Sequence, residues 1–130
     1  MLVKEVMKTE FYLISPLAKI REALKLMKEK NVRFLITEKL NPHDTYGVIT
    51  YTDILKAVVA EEGDIDLLNV YDIYTKPALF IFEDVDIKYA AKMMINFKIK
   101  RLLVIGGNEL KGIVEMNDII ENLMEDIFGQ

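Results

Sequence analysis

The chain has 130 residues, of which 52% are apolar and 29% charged, and its net charge at neutral pH is −4. This composition is typical of a soluble folded domain and does not favour a disordered chain or a broad nucleic-acid-binding surface. Cysteine is absent, which excludes disulfides, a thiolate nucleophile and a cysteine zinc site. We also expect no signal peptide and no membrane span, and therefore a cytoplasmic protein.

The first half of the chain predicts one β-α-β-β-α unit. A short extended segment at residues 11–14 precedes a helix whose apolar residues recur at intervals of three and four from Ile20, the spacing of one buried helical face. Two strands follow at residues 32–37 and 47–50, joined by a loop rich in turn residues. The final helix of the unit is expected to open at Asp53.

The second half repeats this order, with predicted strands at residues 79–82, 99–105 and 112–115 and a final helix that opens at Asp118. The offset between the copies is 67 residues (70 − 3) at first, and 65 (112 − 47) after a loop that is two residues longer in the first copy. At these two offsets identical residues align: Val3 with Val70, Leu35 with Leu102, Gly47 with Gly112, and Asp53 with Asp118. We expect a first motif at residues 1–61, a linker at 62–69 and a second motif at 70–130.

The residue inventory argues against catalysis and against a metal site. Serine and histidine occur once each, as Ser15 at a helix start and His43 in a polar loop, so a nucleophile–base pair is not expected. Only carboxylates remain as metal ligands, and no calcium-loop spacing occurs. We expect no enzyme activity, no metal and no required cofactor, although 21 acidic residues leave a carboxylate-based catalytic site open.

The most informative residues join the last strand of each copy to its final helix. This junction has the sequence Gly-Val-Ile-Thr-Tyr-Thr-Asp at 47–53 and Gly-Ile-Val-Glu-Met-Asn-Asp at 112–118. A helix N-terminus offers N–H groups to an anion, the Thr50 and Thr52 hydroxyls can donate to it, and Asp53 can accept from a ribose diol. Thr, Asp and Asn are also the ordinary helix-capping residues, so capping and ligand binding both stay open.

The pattern Gly-hydrophobic-hydrophobic-Thr-x-x-Asp, repeated after the β-α-β-β order, resembles the CBS domain, the regulatory module of cystathionine β-synthase. The resemblance covers nearly the whole chain as a tandem pair. It implies an α/β fold known as a Bateman module, in which two small sheets flanked by helices are related by pseudo-twofold symmetry and leave two clefts. Members commonly bind AMP, ADP, ATP or S-adenosylmethionine there and act as ligand sensors.

The resemblance also assigns roles to residues of the two junctions. In the first copy, Asp53 is expected to hold the ribose hydroxyls, with Thr50 and Thr52 at the phosphate. The second copy keeps Asp118 and a polar Asn117. Its Glu115 stands where Thr or Ser is expected, and a carboxylate there repels a phosphate at close range.

Further ligand contacts are implied before the second strand of each copy, where basic residues often reach phosphate; a solvated strand edge explains these residues equally well. The matching residues are Arg33 and Phe34 in the first copy, and Lys100 and Arg101, with Lys98 nearby, in the second. The segment before each first strand is expected to line the cleft of the other copy. It places Thr75, Lys76 and Pro77 at the Asp53 cleft, and Lys8, Thr9 and Phe11 at the Asp118 cleft.

The sequence therefore predicts a stand-alone tandem CBS protein that binds an adenine nucleotide, changes conformation and is read by an effector protein. The amphipathic terminal helix and the resemblance predict a homodimer. Two alternatives are a sensor of S-adenosylmethionine, and a structural dimerisation or interaction module whose clefts have lost their ligand, which Glu115 favours. Nucleic-acid binding is disfavoured by the acidic balance, and no membrane association is expected.

Overall fold

The computed structural model describes residues 1–129, and these fall into two compact units. Residues Tyr12–Ala78 form one unit, called the Asp53 unit below, and Met1–Phe11 with residues 79–129 form the other, called the Asp118 unit. The units do not coincide with the two sequence copies. Instead, each copy contributes its leading segment to the unit built from the other copy.

The elements follow in chain order as α1 (Val3–Val6), β1 (Leu13–Ile14), α2 (Ile20–Lys30), β2 (Phe34–Thr37), β3 (Gly47–Thr50), α3 (Tyr51–Ile54), a π-helical segment (Leu55–Ala60), α4 (Val70–Ile73), β4 (Phe80–Phe82), α5 (Ile87–Phe97), β5 (Arg101–Gly106), β6 (Glu109–Glu115) and α6 (Met116–Phe128). The π-helical segment follows α3 without a break.

Each unit has one three-stranded sheet of the same topology. In the Asp53 unit β2 lies between a parallel β1 and an antiparallel β3, and in the Asp118 unit β5 lies between a parallel β4 and an antiparallel β6. The structure thus confirms a mixed α/β fold with two small sheets flanked by helices.

The helical periodicity is confirmed in both copies. Helix α2 buries Ile20, Ala23 and Met27, and α5 buries Ala90 and Met94, so one face of each helix enters the core of its unit. Burial of these side chains, at roughly 2 kcal/mol for a large one, supplies most of what holds each helix in place.

Each unit has its own core. That of the Asp53 unit is built from α2, the sheet and α4, and its buried members include Ile20, Met27, Leu35, Ile49 and Val70. That of the Asp118 unit likewise joins helix and sheet, and its buried members include Val3, Met94, Leu102, Val104 and Val114.

Both final helices begin two residues earlier than predicted. They start at Tyr51 and Met116 rather than at Asp53 and Asp118, because Thr50 and Glu115 have extended backbones and occupy the N-cap position. The aspartates are therefore the third residues of their helices, where a carboxylate reaches back to the N-cap backbone N–H.

The chain between the two predicted motifs packs against the start of α2. The backbone N–H of Ile20 donates to the Leu68 carbonyl at 3.0 Å, and Arg21 makes two hydrogen bonds to the Asp66 carboxylate at 2.6 and 2.8 Å. This segment is therefore part of the Asp53 unit and does not hang free of it.

Candidate functional site

A backbone segment crosses the motif glycine of the Asp53 unit, Gly47. Thr75 and Val48 exchange two backbone hydrogen bonds of 2.9 Å, which hold residues 75–78 beside β3. A Cβ at Gly47 would lie 2.9 Å from the Thr75 carbonyl oxygen and 2.7 Å from the Thr37 hydroxyl. Glycine is therefore required here by the close approach of the crossing segment at Thr75.

The Asp118 unit repeats this crossing with different side chains. The Lys8 N–H donates to the Ile113 carbonyl at 2.8 Å, and the Ile113 N–H donates to the Lys8 carbonyl at 2.9 Å. A Cβ at Gly112 would overlap the Lys8 carbonyl. The glycine of the sequence motif thus marks the place where a leading segment is bound.

At the Asp53 junction a hydroxyl and a carboxylate close the helix start. The Thr50 N–H and hydroxyl donate to Asp53 Oδ2 at 2.9 and 3.0 Å, while the Asp53 N–H donates to Thr50 Oγ1 at 3.2 Å. The capping role that the residue types suggested is therefore present. Within residues 1–129, the hydrogen bonds to this carboxylate all end on Oδ2, which leaves Oδ1 able to accept from a ligand hydroxyl.

Ion pairs stabilise the Asp118 junction. The Glu115 N–H donates to Asp118 Oδ2 at 3.0 Å. The Lys8 ammonium lies 3.3 Å from Asp118 Oδ1 and 3.6 Å from Glu115 Oε1, and Arg101 Nε lies 3.9 Å from Glu115 Oε2. The Asp118 side chain is only 8% exposed, so a nearby cation is needed to stabilise its charge.

The pKa of Lys8 follows from this environment. Partial burial acts to lower it, but the Asp118 and Glu115 carboxylates together hold the pKa of Lys8 above its ordinary value. The lysine is therefore charged at neutral pH and serves as the counter-ion of both carboxylates.

Lys76 of the Asp53 unit is engaged by a loop that the other unit lacks. Its ammonium lies 2.5 Å from Asp44 Oδ1, and Asp44 also accepts from the Leu40 N–H at 2.9 Å. The Leu40 N–H and the Lys76 ammonium lower the pKa of Asp44 to about 2. As a result, the residues 38–46 loop is fastened to the crossing segment, and the Ala78 N–H adds a hydrogen bond to the Tyr46 carbonyl at 2.8 Å.

The strand pairing brings the other predicted residues beside the junctions. Phe34 is paired with Thr50, and Arg101 with Glu115, across the antiparallel ladders. The N–H groups at the two helix starts, those of Tyr51 and Met116, donate to the carbonyls of Arg33 at 3.0 Å and Lys100 at 2.8 Å.

The remaining predicted residues lie at the surface. Seven of them are exposed: Thr9, Thr52, Thr75, Lys76, Pro77, Lys98 and Asn117. Phe11 is half-buried, and Lys98 ends α5 with a left-handed backbone at φ 55°. Each set of predicted site residues falls within one unit, the Thr50 set in the Asp53 unit and the Lys8 set in the Asp118 unit.

The sequence does not single out Asp44, and it places Lys8 at the Asp118 cleft without indicating its ion pairs. The turn residues around Asp44 predict only a loop, and no local signal shows that its carboxylate meets Lys76. Lys8 had a usable signal, since the offset of 67 residues (75 − 8) aligns it with Thr75, and the offset of 65 (115 − 50) aligns Glu115 with Thr50.

Residues 1–129 contain no group of three or more His, Asp or Glu side chains placed to hold a metal ion. In the same residues every helix is too short or too polar to cross a lipid bilayer.

The two junctions lie in a repeated motif that this chain shares with known proteins. The CBS domain family matches residues 3–60 and 70–125, and the chain belongs to this family. It is 30% identical over 131 residues to an uncharacterised 33.4 kDa protein of Thermofilum pendens, an alignment that covers 93% of this chain and 43% of that protein. The chain thus spans less than half the length of this relative.

Solved structures share the fold. A hexameric CBS-CP12 protein from bloom-forming cyanobacteria is 35% identical with a TM-score of 0.87, and the match covers 92% of this chain and 66% of that one. A CBS domain protein from Pyrobaculum aerophilum, solved in complex with AMP, is 22% identical with a TM-score of 0.82 over 99% of this chain and 100% of that one.

Proposed function

We propose that this chain is a regulatory module that binds an adenine nucleotide at the Asp53 junction and signals by a change of conformation to an effector protein. The observation that carries the proposal is the Thr50–Asp53 pair, which stands at the start of a helix beside a crossing segment in a chain of the CBS family. The AMP complex of the Pyrobaculum aerophilum protein supports the choice of ligand class.

The chemistry of the junction suits a nucleotide. Asp53 has an oxygen able to accept from a ribose hydroxyl, and a ribose diol offers two donors. The exposed Thr52 hydroxyl can donate to a phosphate, whereas the Thr50 hydroxyl donates to Asp53 Oδ2 and would have to rotate to do so. At the start of α3 the N–H groups of Tyr51 and Asp53 already have acceptors. Arg33 is exposed, and its backbone carbonyl accepts from the first residue of α3, so its side chain can supply a positive charge nearby.

Signalling requires that the ligand prefer one conformation. A bound nucleotide shifts the population only by the difference between its affinities for the two states. The Asp44–Lys76 ion pair would change when the ligand binds, because a phosphate near the crossing segment would compete with Asp44 for the Lys76 ammonium.

Isothermal titration calorimetry of the purified chain with AMP, ADP, ATP and S-adenosylmethionine tests the proposal. We expect binding of at least one adenine nucleotide, and its loss in Asp53→Asn, which removes the charge but keeps an acceptor for the Thr50 N–H. The matched control is Asp72→Asn. Asp72 accepts from the Asn69 N–H at 2.8 Å in the same capping role at α4 and belongs to the same unit.

The outcomes separate capping from ligand binding. If both variants lose a similar amount of stability and only Asp53→Asn loses the ligand, the proposal is supported. Absence of heat with all four compounds contradicts it, and so does equal binding by Asp53→Asn and the wild type.

We also propose a homodimer formed through α6. The helix contains no buried residue, and Leu123 is 50%, Ile127 62% and Phe128 79% exposed. An apolar patch of this kind is usually covered by a partner. Sedimentation velocity should show a dimer that dissociates in Leu123→Glu; a monomeric wild type, or a hexamer like the cyanobacterial protein, contradicts this assembly.

An interaction module without a ligand is the second candidate, and the ion-paired Asp118 junction favours it. Its own Lys8 pairs with Asp118 and Glu115, and in this alternative the lysine stands in place of a ligand. Under this alternative the melting temperature does not change with any adenosine compound, because only a ligand that binds the folded state raises stability.

A further inference from the structure

The two junctions differ by a pair of charges at corresponding positions. Where the Asp53 unit has Thr50, the Asp118 unit has Glu115, and where the Asp53 unit has Thr75 on its crossing segment, the other has Lys8. Two threonines in one copy thus correspond to an anion and a cation in the other. The two charges face each other, and the exposed Lys8 ammonium offsets the charge of the more buried Glu115 carboxylate.

The geometry shows that these charges act together. The backbone of Lys8 is fixed to Ile113 by two hydrogen bonds, as Thr75 is fixed to Val48. From this place its ammonium reaches both Glu115, at 3.6 Å, and Asp118, at 3.3 Å. With Arg101 also at Glu115, two cations balance two carboxylates and the junction carries no net charge.

We propose that the Lys8–Glu115 pair selects the ligand charge at the Asp118 junction, which takes a ribonucleoside without a phosphate, while the Asp53 junction takes the nucleotide. This inference rests on the proposed function. A phosphate at the Asp118 junction would lie beside Glu115 and would draw Lys8 away from two carboxylates that need it. An uncharged nucleoside instead brings hydroxyl donors, which carboxylates accept.

The test isolates the Asp118 junction in the full-length chain. In an Asp53→Asn background, calorimetry with adenosine and with AMP should show adenosine binding, with AMP bound more weakly by roughly tenfold or more. Glu115→Thr in that background should raise AMP affinity by roughly tenfold or more, because the carboxylate is removed and Lys8 is left to meet the phosphate. Adenosine affinity should change by less than about threefold.

Lys8→Thr and a double variant should give an order of AMP affinities that a general loss of stability would not produce. Lys8→Thr should weaken AMP binding further, because Glu115 then has less compensation, and the double variant Lys8→Thr with Glu115→Thr should fall between Glu115→Thr and the parent. Glu115→Gln, which keeps the size of the side chain, should shift AMP affinity in the same direction as Glu115→Thr and provides the result if Glu115→Thr folds poorly by circular dichroism.

The results that would contradict the charge selection can be told apart from those that would contradict the proposed function. Equal binding of AMP and adenosine in the Asp53→Asn background, or AMP affinity unchanged by both Glu115 variants, overturns the charge selection. If the wild type binds a nucleotide and the Asp53→Asn chain binds neither compound, the charge selection fails and the proposed function stands. If the wild type binds no adenosine compound at all, both fail.

Discussion

The Asp53 and Asp118 junctions share a backbone conformation and differ in the side chains that stabilise it. Both place an extended N-cap residue before a helix, with an aspartate as the third helical residue and a crossing segment beside the motif glycine. At Asp53 a threonine hydroxyl completes the arrangement, whereas at Asp118 two ion pairs to Lys8 do so. A duplicated fold can therefore keep its geometry while its two sites change in charge.

A second difference lies in the loops. The Asp53 unit has a long loop fastened by the Asp44–Lys76 ion pair, while the Asp118 unit joins β5 to β6 through a tight turn with left-handed Gly107 and Asn108. The short turn lets β6 begin at Glu109, so its sheet is longer than that of the Asp53 unit. One unit thus gains an ion pair between its loop and the crossing segment, and the other gains strand pairing.

The largest effect is expected from the glycines that the two units share. Gly112→Ala and Gly47→Ala should each lower the free energy of unfolding by about 2 kcal/mol or more, because a Cβ would collide with the carbonyl of Lys8 or Thr75. Urea unfolding followed by circular dichroism measures this. Gly107→Asn is the control, since nothing lies within 4 Å of that position and asparagine tolerates its φ of 57°. Alanine variants as stable as the wild type would contradict the crossing geometry.

A smaller, pH-dependent effect should distinguish the loop of the Asp53 unit. The pKa of Asp44 is lowered from its ordinary value of 3.8 to about 2, so its stabilising effect is present above about pH 4 and is lost as the pH falls toward 2. The stability difference between wild type and Asp44→Asn should therefore narrow as the pH falls from about 5. Glu38→Gln, at an exposed residue of the same loop, is the control. A difference independent of pH would show that the ion pair does not form.

The smallest effect concerns the ends of α2 and α5. Both helices end in a left-handed residue, Asn31 at φ 54° and Lys98 at φ 55°. Asparagine tolerates this backbone better than lysine does, so Lys98→Asn should raise the free energy of unfolding by about 0.5 kcal/mol, and Asn31→Lys should lower it similarly. Changes of the same sign in both variants would contradict the equivalence of the two helix ends.

Sequence patterns predict the buried helix faces and the β-α-β-β-α order of elements, because these depend on residues close together in the chain. The repeat is evident from its two constant offsets of 67 and 65 residues. The helix starts were misplaced by two residues for a specific reason. An aspartate serves equally as N-cap or as the third helical residue, and Thr50 decides between them only through its backbone conformation.

The remaining features depend on residues far apart in the chain. No local pattern shows that Thr75 crosses Gly47 or that Lys76 meets Asp44, since each contact is set by the packing of a whole unit. Glu115 was recognised as unusual from its position in the motif. The resemblance places Lys8 at the same cleft, but only the structure shows that its ammonium lies 3.6 Å from the Glu115 carboxylate.

The claim that the two junctions bind different ligands is tested most directly by binding stoichiometry on the wild-type chain. Equilibrium titration should show one AMP site per chain that fills well before any second one, and protein that carries one AMP should still take up one adenosine. Two equivalent AMP sites per chain would contradict the account, as would displacement of AMP by adenosine without any additional uptake.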